Sequence, residues 1–215
     1  MPQFLDAANA LALYRRRPNP YTPSVDGDVW VTYGRDFYTP TQFGNQFGTR
    51  KNWLTGYGLD NNAQILVVGS GFGYLIEYLL DAGVQDVWGI DPGPYIWDSA
   101  NDDQWRADVK ARTANDWLGS GTEQASLDAL PGVPNNERFT WIIDEDAAPM
   151  HTDAELPAFI AACEARLQGN AKGRIVHIVT PGSAGDFSVN WKSMAEWKAV
   201  APDHNWVNAI TGEVA

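Results

Sequence analysis

Four apolar residues, Ile65-Leu66-Val67-Val68, run directly into Gly69-Ser70-Gly71-Phe72-Gly73, and this junction narrows the fold more than any other stretch. A continuous apolar run of this length suits a strand buried on both faces. Leu75, Ile76, Leu79 and Leu80 then recur at helical spacing, and Gly83 stands where a helix C-terminal cap belongs. Glycine lets the chain turn tightly from strand to helix and lets a ligand approach the backbone, because it lacks a side chain and accepts positive φ. The following helix offers free N–H groups at its first turn.

The same alternation continues. Val87-Trp88-Gly89-Ile90 reads as a second strand, stopped by Asp91-Pro92-Gly93-Pro94. A weaker third strand is expected near 109–112, and Phe139-Thr140-Trp141-Ile142-Ile143 is a clearer fourth. Thr152 and Glu155 have capping-box spacing, and Leu156, Phe159, Ile160, Cys163 and Leu167 form one helical stripe before Gly169. Ile175-Val176-His177-Ile178-Val179 is a fifth strand, Met194, Trp197 and Val200 mark a last helix, and residues 206–210 a last strand. Apolar strands alternating with amphipathic helices predict βαβ units, hence an α/β sandwich with a mostly parallel sheet covered on both faces. Ligands of such sheets sit beyond the carboxyl ends of the strands.

Residues 1–60 differ in character. They are rich in proline, tyrosine, phenylalanine, glycine and asparagine, with one short strand expected at 29–33. The expected organisation is an N-terminal arm or lid, 1–60, on a core domain, 61–215. Tyr33, Phe37, Tyr38, Phe43, Phe47 and Trp53 gather in the arm. They suit an acceptor pocket, a contact between copies in a homo-oligomer, or packing of the arm on the core.

Composition excludes several classes. Fifteen Lys and Arg against 27 Asp and Glu give a net charge of −12, which argues against a broad nucleic-acid-binding surface. A single cysteine, Cys163 on the apolar stripe, excludes an internal disulfide framework and a cysteine-rich zinc site. No histidine–cysteine pair has zinc-ligand spacing, so no metal site is expected. No apolar run approaches the roughly 18 residues of a membrane span, and residues 1–14 lack a basic leader. A cytoplasmic protein is the expectation.

Asp91 ends the second strand, 18 residues after Gly73. A carboxylate there can accept hydrogen bonds from both ribose hydroxyls of a nucleoside; a turn aspartate before proline is the plainer alternative. The loop spacing is Gly-x-Gly-x-Gly, and Tyr74 takes the place of the last glycine of a dinucleotide fingerprint. With Asp91, this strand and loop resemble class I S-adenosylmethionine-dependent methyltransferases over about residues 60–180. The resemblance implies a Rossmann-like three-layer sandwich and S-adenosylmethionine as cofactor. It places Gly69, Ser70, Gly71, Phe72 and Gly73 against the cofactor's amino-acid part, Asp91 at the ribose, Pro92 and Tyr95 beside the adenine, and Asn115 or Asp116 at the adenine amino group. Many members carry an acidic residue near the position of Val67, and this chain does not. The strand hairpin that closes the family's sheet is expected to be shortened here, with no appended recognition domain.

In that family the loop after the fourth strand faces both the methyl group and the acceptor. Here it holds Asp144, Glu145, Asp146 and His151. Three readings stand: a general base or acceptor-orienting set led by Asp144 or His151, with Asp144 also near the cofactor; a site for a hard cation; or a solvated acidic loop before a helix. Methyl transfer from a sulfonium asks chiefly for in-line positioning and exclusion of water. His177 is expected to be packed and hydrogen-bonded within its strand, and His204 to lie at the surface. The function implied is methyl transfer to a small-molecule or protein-borne acceptor. A nicotinamide-dependent oxidoreductase and a non-catalytic interaction module are the alternatives.

Overall fold

The computed structural model describes residues 56–70, 74–90, 139–169, 171–179, 190–209 and 211–215. Among the described residues, five strands form one sheet: β1 (Gln64–Val68), β2 (Asp86–Ile90), β3 (Trp141–Glu145), β4 (Ile175–Val179) and β5 (Asn205–Asn208). The α-helices described beside them are α1 (Tyr74–Asp81), α2 (Leu156–Arg166) and α3 (Met194–Val200). The strand order is β2-β1-β3-β4-β5 and every pairing is parallel. The chain leaves β1 towards one side of the sheet and returns to β3 on the other. The switch point therefore lies between β1 and β3, where open α/β sheets bind ligands.

Both faces of the sheet are covered. Leu66, Val68, Ile142 and Trp206 point to one face, where Phe159 and Cys163 of α2 and Trp197 of α3 join them in a single core. Ile65, Val67, Ile143, Val176 and Ile178 have the opposite parity and are equally buried, as are Leu75, Ile76 and Leu79 of α1. This double burial explains why the strands read as apolar runs rather than alternating ones. Gly83 ends α1 at φ +98°, and the Val84 N–H returns to Leu79 O at 3.1 Å.

Several expectations shift by a residue or two. The strand expected from Phe139 starts at Trp141. Phe139 instead pairs with the end of α2, its N–H donating to Arg166 O at 2.8 Å, and the Thr140 hydroxyl accepts from Gln64 N–H at 2.8 Å. The capping box at Thr152 is half-formed. Glu155 accepts from the Thr152 N–H and hydroxyl, but the hydroxyl caps no helix N–H, and α2 begins at Leu156. A full capping box stands at α3, between Ser193 and Glu196. The last strand ends at Asn208. The chain then reverses, so that Val214 bridges antiparallel to Val207 and Ala215 N–H donates to Trp206 O at 2.8 Å. Residues 1–55 of the arm expected over 1–60, the strands expected at 29–33 and 109–112, and Ile210 lie outside the described residues. No helix among the described residues is long and apolar enough to cross a membrane.

Candidate functional site

The carboxyl ends of β1 and β3 meet at Gly69. Its φ is +70°, and a Cβ there would lie 2.8 Å from Glu145 O and 3.1 Å from Ala147 Cβ. Only glycine satisfies both the left-handed backbone and the close approach of the turn after β3. From Gly69 the chain bends towards β2, where the Ser70 N–H donates to Ile90 O at 3.0 Å. The Ser70 hydroxyl is buried and has no hydrogen-bond partner among the described residues. A buried orphan hydroxyl costs about 1–3 kcal/mol, and here it sits within the glycine loop at the switch point. Gly69 and Ser70 thus stand at the carboxyl end of β1, beside the switch point. Gly71, Phe72, Gly73, Asp91, Pro92, Tyr95, Asn115 and Asp116 lie outside the described residues.

The turn after β3 is built around Asp144. Its carboxylate is fully buried and accepts from the N–H groups of Ala147 at 2.8 Å and Ala148 at 3.3 Å. The second oxygen lies 2.7 Å from His177 Nδ1. Register explains this pair, because Asp144 and His177 are direct partners on adjacent strands, and His177 in turn is partnered by Trp206. Both oxygens of Asp144 are therefore committed to the protein's own donors. Asp146, next in the turn, holds a left-handed φ of 61°, and its N–H donates to Ile178 O at 2.9 Å. Glu145 and Asp146 are half-buried. His151 shares the turn: its Nδ1 lies 3.0 Å from Ala147 O, and its ring stacks on Phe159 at 4.3 Å. A carbonyl can only accept, so Nδ1 carries the proton and Nε2 is the basic nitrogen.

Beyond His177 the polar contacts continue through the core. His177 Nε2 lies 3.0 Å from His204 Nδ1, His204 Nε2 lies 3.2 Å from Glu164 Oε1, and Glu164 pairs with Lys172 at 2.7 Å. Trp206 stacks on His177 at 4.1 Å. His177 is packed and hydrogen-bonded, as expected. His204, expected at the surface, is buried. Its place between His177 and Glu164, at the entry to β5, explains the difference. Burial, then the neighbouring His177, lowers its pKa from 6.5 to about 4. Burial raises the Glu164 pKa, but the hydrogen bond from Lys172 and its charge outweigh it, and the carboxyl lies below its usual range.

One signal in the sequence pointed to this chain: Asp144 and His177 are polar residues closing or interrupting apolar runs that form strands. Buried polar groups in adjacent strands must find partners. Among the described residues no group of three or more His, Cys, Asp or Glu is arranged to hold a metal. At the other end of the sheet, a cleft of about 390 Å³ lies among Tyr57, Asp60, Trp141 and Arg174.

No protein-family model matches the sequence, and no curated protein matches it. Solved structures do match by shape. One is the complex between the Haloferax volcanii Trm112 methyltransferase activator and a candidate methyltransferase, at 18% identity and TM-score 0.55, over 83% of this chain and 76% of that one. Bacillus subtilis YcgJ matches at 16% identity and TM-score 0.53, over 73% of this chain and 68% of that one. The glycopeptide N-methyltransferase MtfA, complexed with sinefungin, matches at 17% identity and TM-score 0.44, over 59% of this chain. The match spans about half of MtfA's length, 50%. The first two likenesses show the fold, a Rossmann-like α/β fold.

Proposed function

We propose that the protein is an S-adenosylmethionine-dependent methyltransferase acting on a small-molecule or protein-borne acceptor. The observation that carries this reading is the glycine loop at the switch point. There Gly69 is pressed against the turn after β3, and the Ser70 hydroxyl is buried without a partner among the described residues. A polar ligand at the carboxyl end of β1 would satisfy that hydroxyl, so the residues fit the cofactor. Gly69, Ser70, Gly71, Phe72 and Gly73 would hold its amino-acid part, Asp91 its ribose, Pro92 and Tyr95 the adenine face, and Asn115 or Asp116 the adenine amino group. When bound, S-adenosylmethionine supplies a methyl group already activated by its sulfonium.

The chain's own residues then have three tasks. The glycine loop positions the cofactor through backbone N–H groups. The turn 145–151 bounds the acceptor side and excludes water, which is where most of the rate of such a transfer arises. Asp144 acts in this reading by holding the turn, since its oxygens are taken by Ala147, Ala148 and His177. His151 Nε2 is the group suited to receive a proton from an acceptor that must lose one. The Haloferax neighbour's activator protein supports keeping a protein partner in this reading, beside a homo-oligomer formed through the arm.

Calorimetric titration with S-adenosylmethionine and S-adenosylhomocysteine tests the proposal, with NAD as control because dinucleotides also bind open parallel sheets at the switch point. Micromolar binding of both S-adenosyl ligands, lost in Asp91→Ala, is expected. Tighter binding of NAD would replace the reading with an oxidoreductase. Folded protein that binds none of the three would leave an interaction module.

A further inference from the structure

The buried chain Asp144–His177–His204–Glu164 contains three contacts between nitrogen or oxygen atoms that each need one proton. With both imidazoles neutral, the pair supplies two protons. One contact must go without, and the geometry says which. At the Asp144 end the contact is 2.7 Å and both side chains are 0% exposed, so opposed lone pairs there would have no water to relieve them. His177 therefore carries its proton on Nδ1 and donates to Asp144. Its Nε2 accepts from His204 Nδ1–H, and His204 Nε2 is left as a lone pair facing Glu164. That last contact is the longest, 3.2 Å, and Glu164 is 30% exposed, so solvent reaches the unmet end.

We propose that His177 and His204 are positioning residues for the candidate site. As neutral imidazoles, both protonated on Nδ1, they fix Asp144 as the acceptor that holds the Ala147–Ala148 turn against Gly69. The chain takes up one further proton at its solvent end, on His204 Nε2, and the turn at the site responds to it. Among the described residues, His177 faces Asp144 from β3 and His204 from the approach to β5, and the rings of Phe159 and Trp206 pack beside it. His204 faces Glu164 of α2, with Lys172 behind it, and its carbonyl accepts from Lys198 of α3 at 2.9 Å. Asp203 adjoins His204 in the chain and acts electrostatically on Lys172. Burial and the facing His177 keep His204 neutral at pH 7, consistent with the proton count.

The functional consequence rests on the cofactor reading; the proton arrangement does not. The whole chain contains three histidines, so nitrogen-15 histidine labelling of the full-length protein gives a readable spectrum. At pH 7 both His177 and His204 are expected as Nδ1–H tautomers. On acidification His204 gains one proton, and the amide resonances of Ala147 and Ala148 move with the same midpoint. His204→Asn, whose amide can still donate to His177, keeps the His177 tautomer and abolishes that midpoint. His204→Phe loses the donor; His177 then shows mixed tautomers, and S-adenosylhomocysteine binds roughly tenfold more weakly, against roughly threefold or less for His204→Asn. An Nε2–H tautomer at His177 in the wild-type protein, or Ala147 and Ala148 amides indifferent to the His204 titration, would overturn the proposal. These wild-type readings need no ligand and no variant. Failure of S-adenosylhomocysteine to bind wild-type protein counts against the cofactor reading alone.

Discussion

Replacing Asp144 with asparagine exchanges one buried acceptor atom for a donor, and the chain is then no longer one proton short. In Asp144→Asn the amide oxygen can still accept from the Ala147 and Ala148 N–H groups, which lie 2.8 and 3.3 Å from the carboxylate oxygen it replaces. The amide nitrogen takes the place of the oxygen that faces His177 Nδ1 at 2.7 Å. It brings the third proton. His177 is then expected to reverse its tautomer and donate from Nε2 to His204, which donates from Nε2 to Glu164, so that all three contacts are met by neutral imidazoles. Asp144→Ala has no such rescue: it strands two backbone N–H groups and an imidazole N–H in a dry core. Each stranded donor costs about 1–3 kcal/mol. Urea unfolding at pH 7 should therefore show Asp144→Ala losing about 4 kcal/mol and Asp144→Asn about 1 kcal/mol or less. Histidine nitrogen-15 spectra of Asp144→Asn should show Nε2–H tautomers at both His177 and His204. Equal destabilisation by the two substitutions, or an unchanged His177 tautomer in Asp144→Asn, would falsify the proton count.

Gly69→Ala places a methyl group at a left-handed φ and 2.8 Å from the Glu145 carbonyl; a loss of about 2–3 kcal/mol in urea unfolding and of S-adenosyl ligand binding is expected, and wild-type stability would refute the close approach. The lowered pKa of His204 means that the unfolded chain binds a proton between pH 6.5 and about 4 that the folded chain refuses. Stability should therefore fall as pH drops through that window, by about 2 kcal/mol after allowance for solvent screening, and His204→Asn should remove that share of the slope in denaturation measured from pH 7 to 4. Ser193→Ala removes the hydroxyl that caps Glu196 N–H, and calorimetric melting should show a loss of about 1 kcal/mol.

Strands β1, β2 and β4, helix α1 and the apolar stripe of α2 were legible in the sequence because burial on both faces leaves uninterrupted apolar runs and clean helical spacing. Gly69 was legible for the same local reason, as the turn between Val68 and the helix. Long-range pairing was harder to read. His204 stands beside Asp203 and Asn205 in a polar stretch, and nothing local announces that β5 carries it into the core beside His177. The start of β3 was displaced because Phe139 and Thr140 find backbone partners on α2 and β1 rather than in the β3 ladder. In the acidic run that closes β3, the sequence singled out Asp144 but did not show which carboxylate is buried. Strand parity does: Asp144 shares a face with His177 and the core, while Glu145 has the opposite parity and is half-buried.

The central claim is that a nucleoside cofactor lies on the glycine loop at the carboxyl ends of β1 and β3. Titrating nitrogen-15-labelled protein with S-adenosylhomocysteine, read by amide resonances, tests it most directly. The account predicts saturation at micromolar ligand, with the largest changes at Gly69, Ser70 and Asp91. Unmoved resonances at millimolar ligand would contradict it, as would changes gathered instead around Tyr57, Trp141 and Arg174 at the opposite end of the sheet.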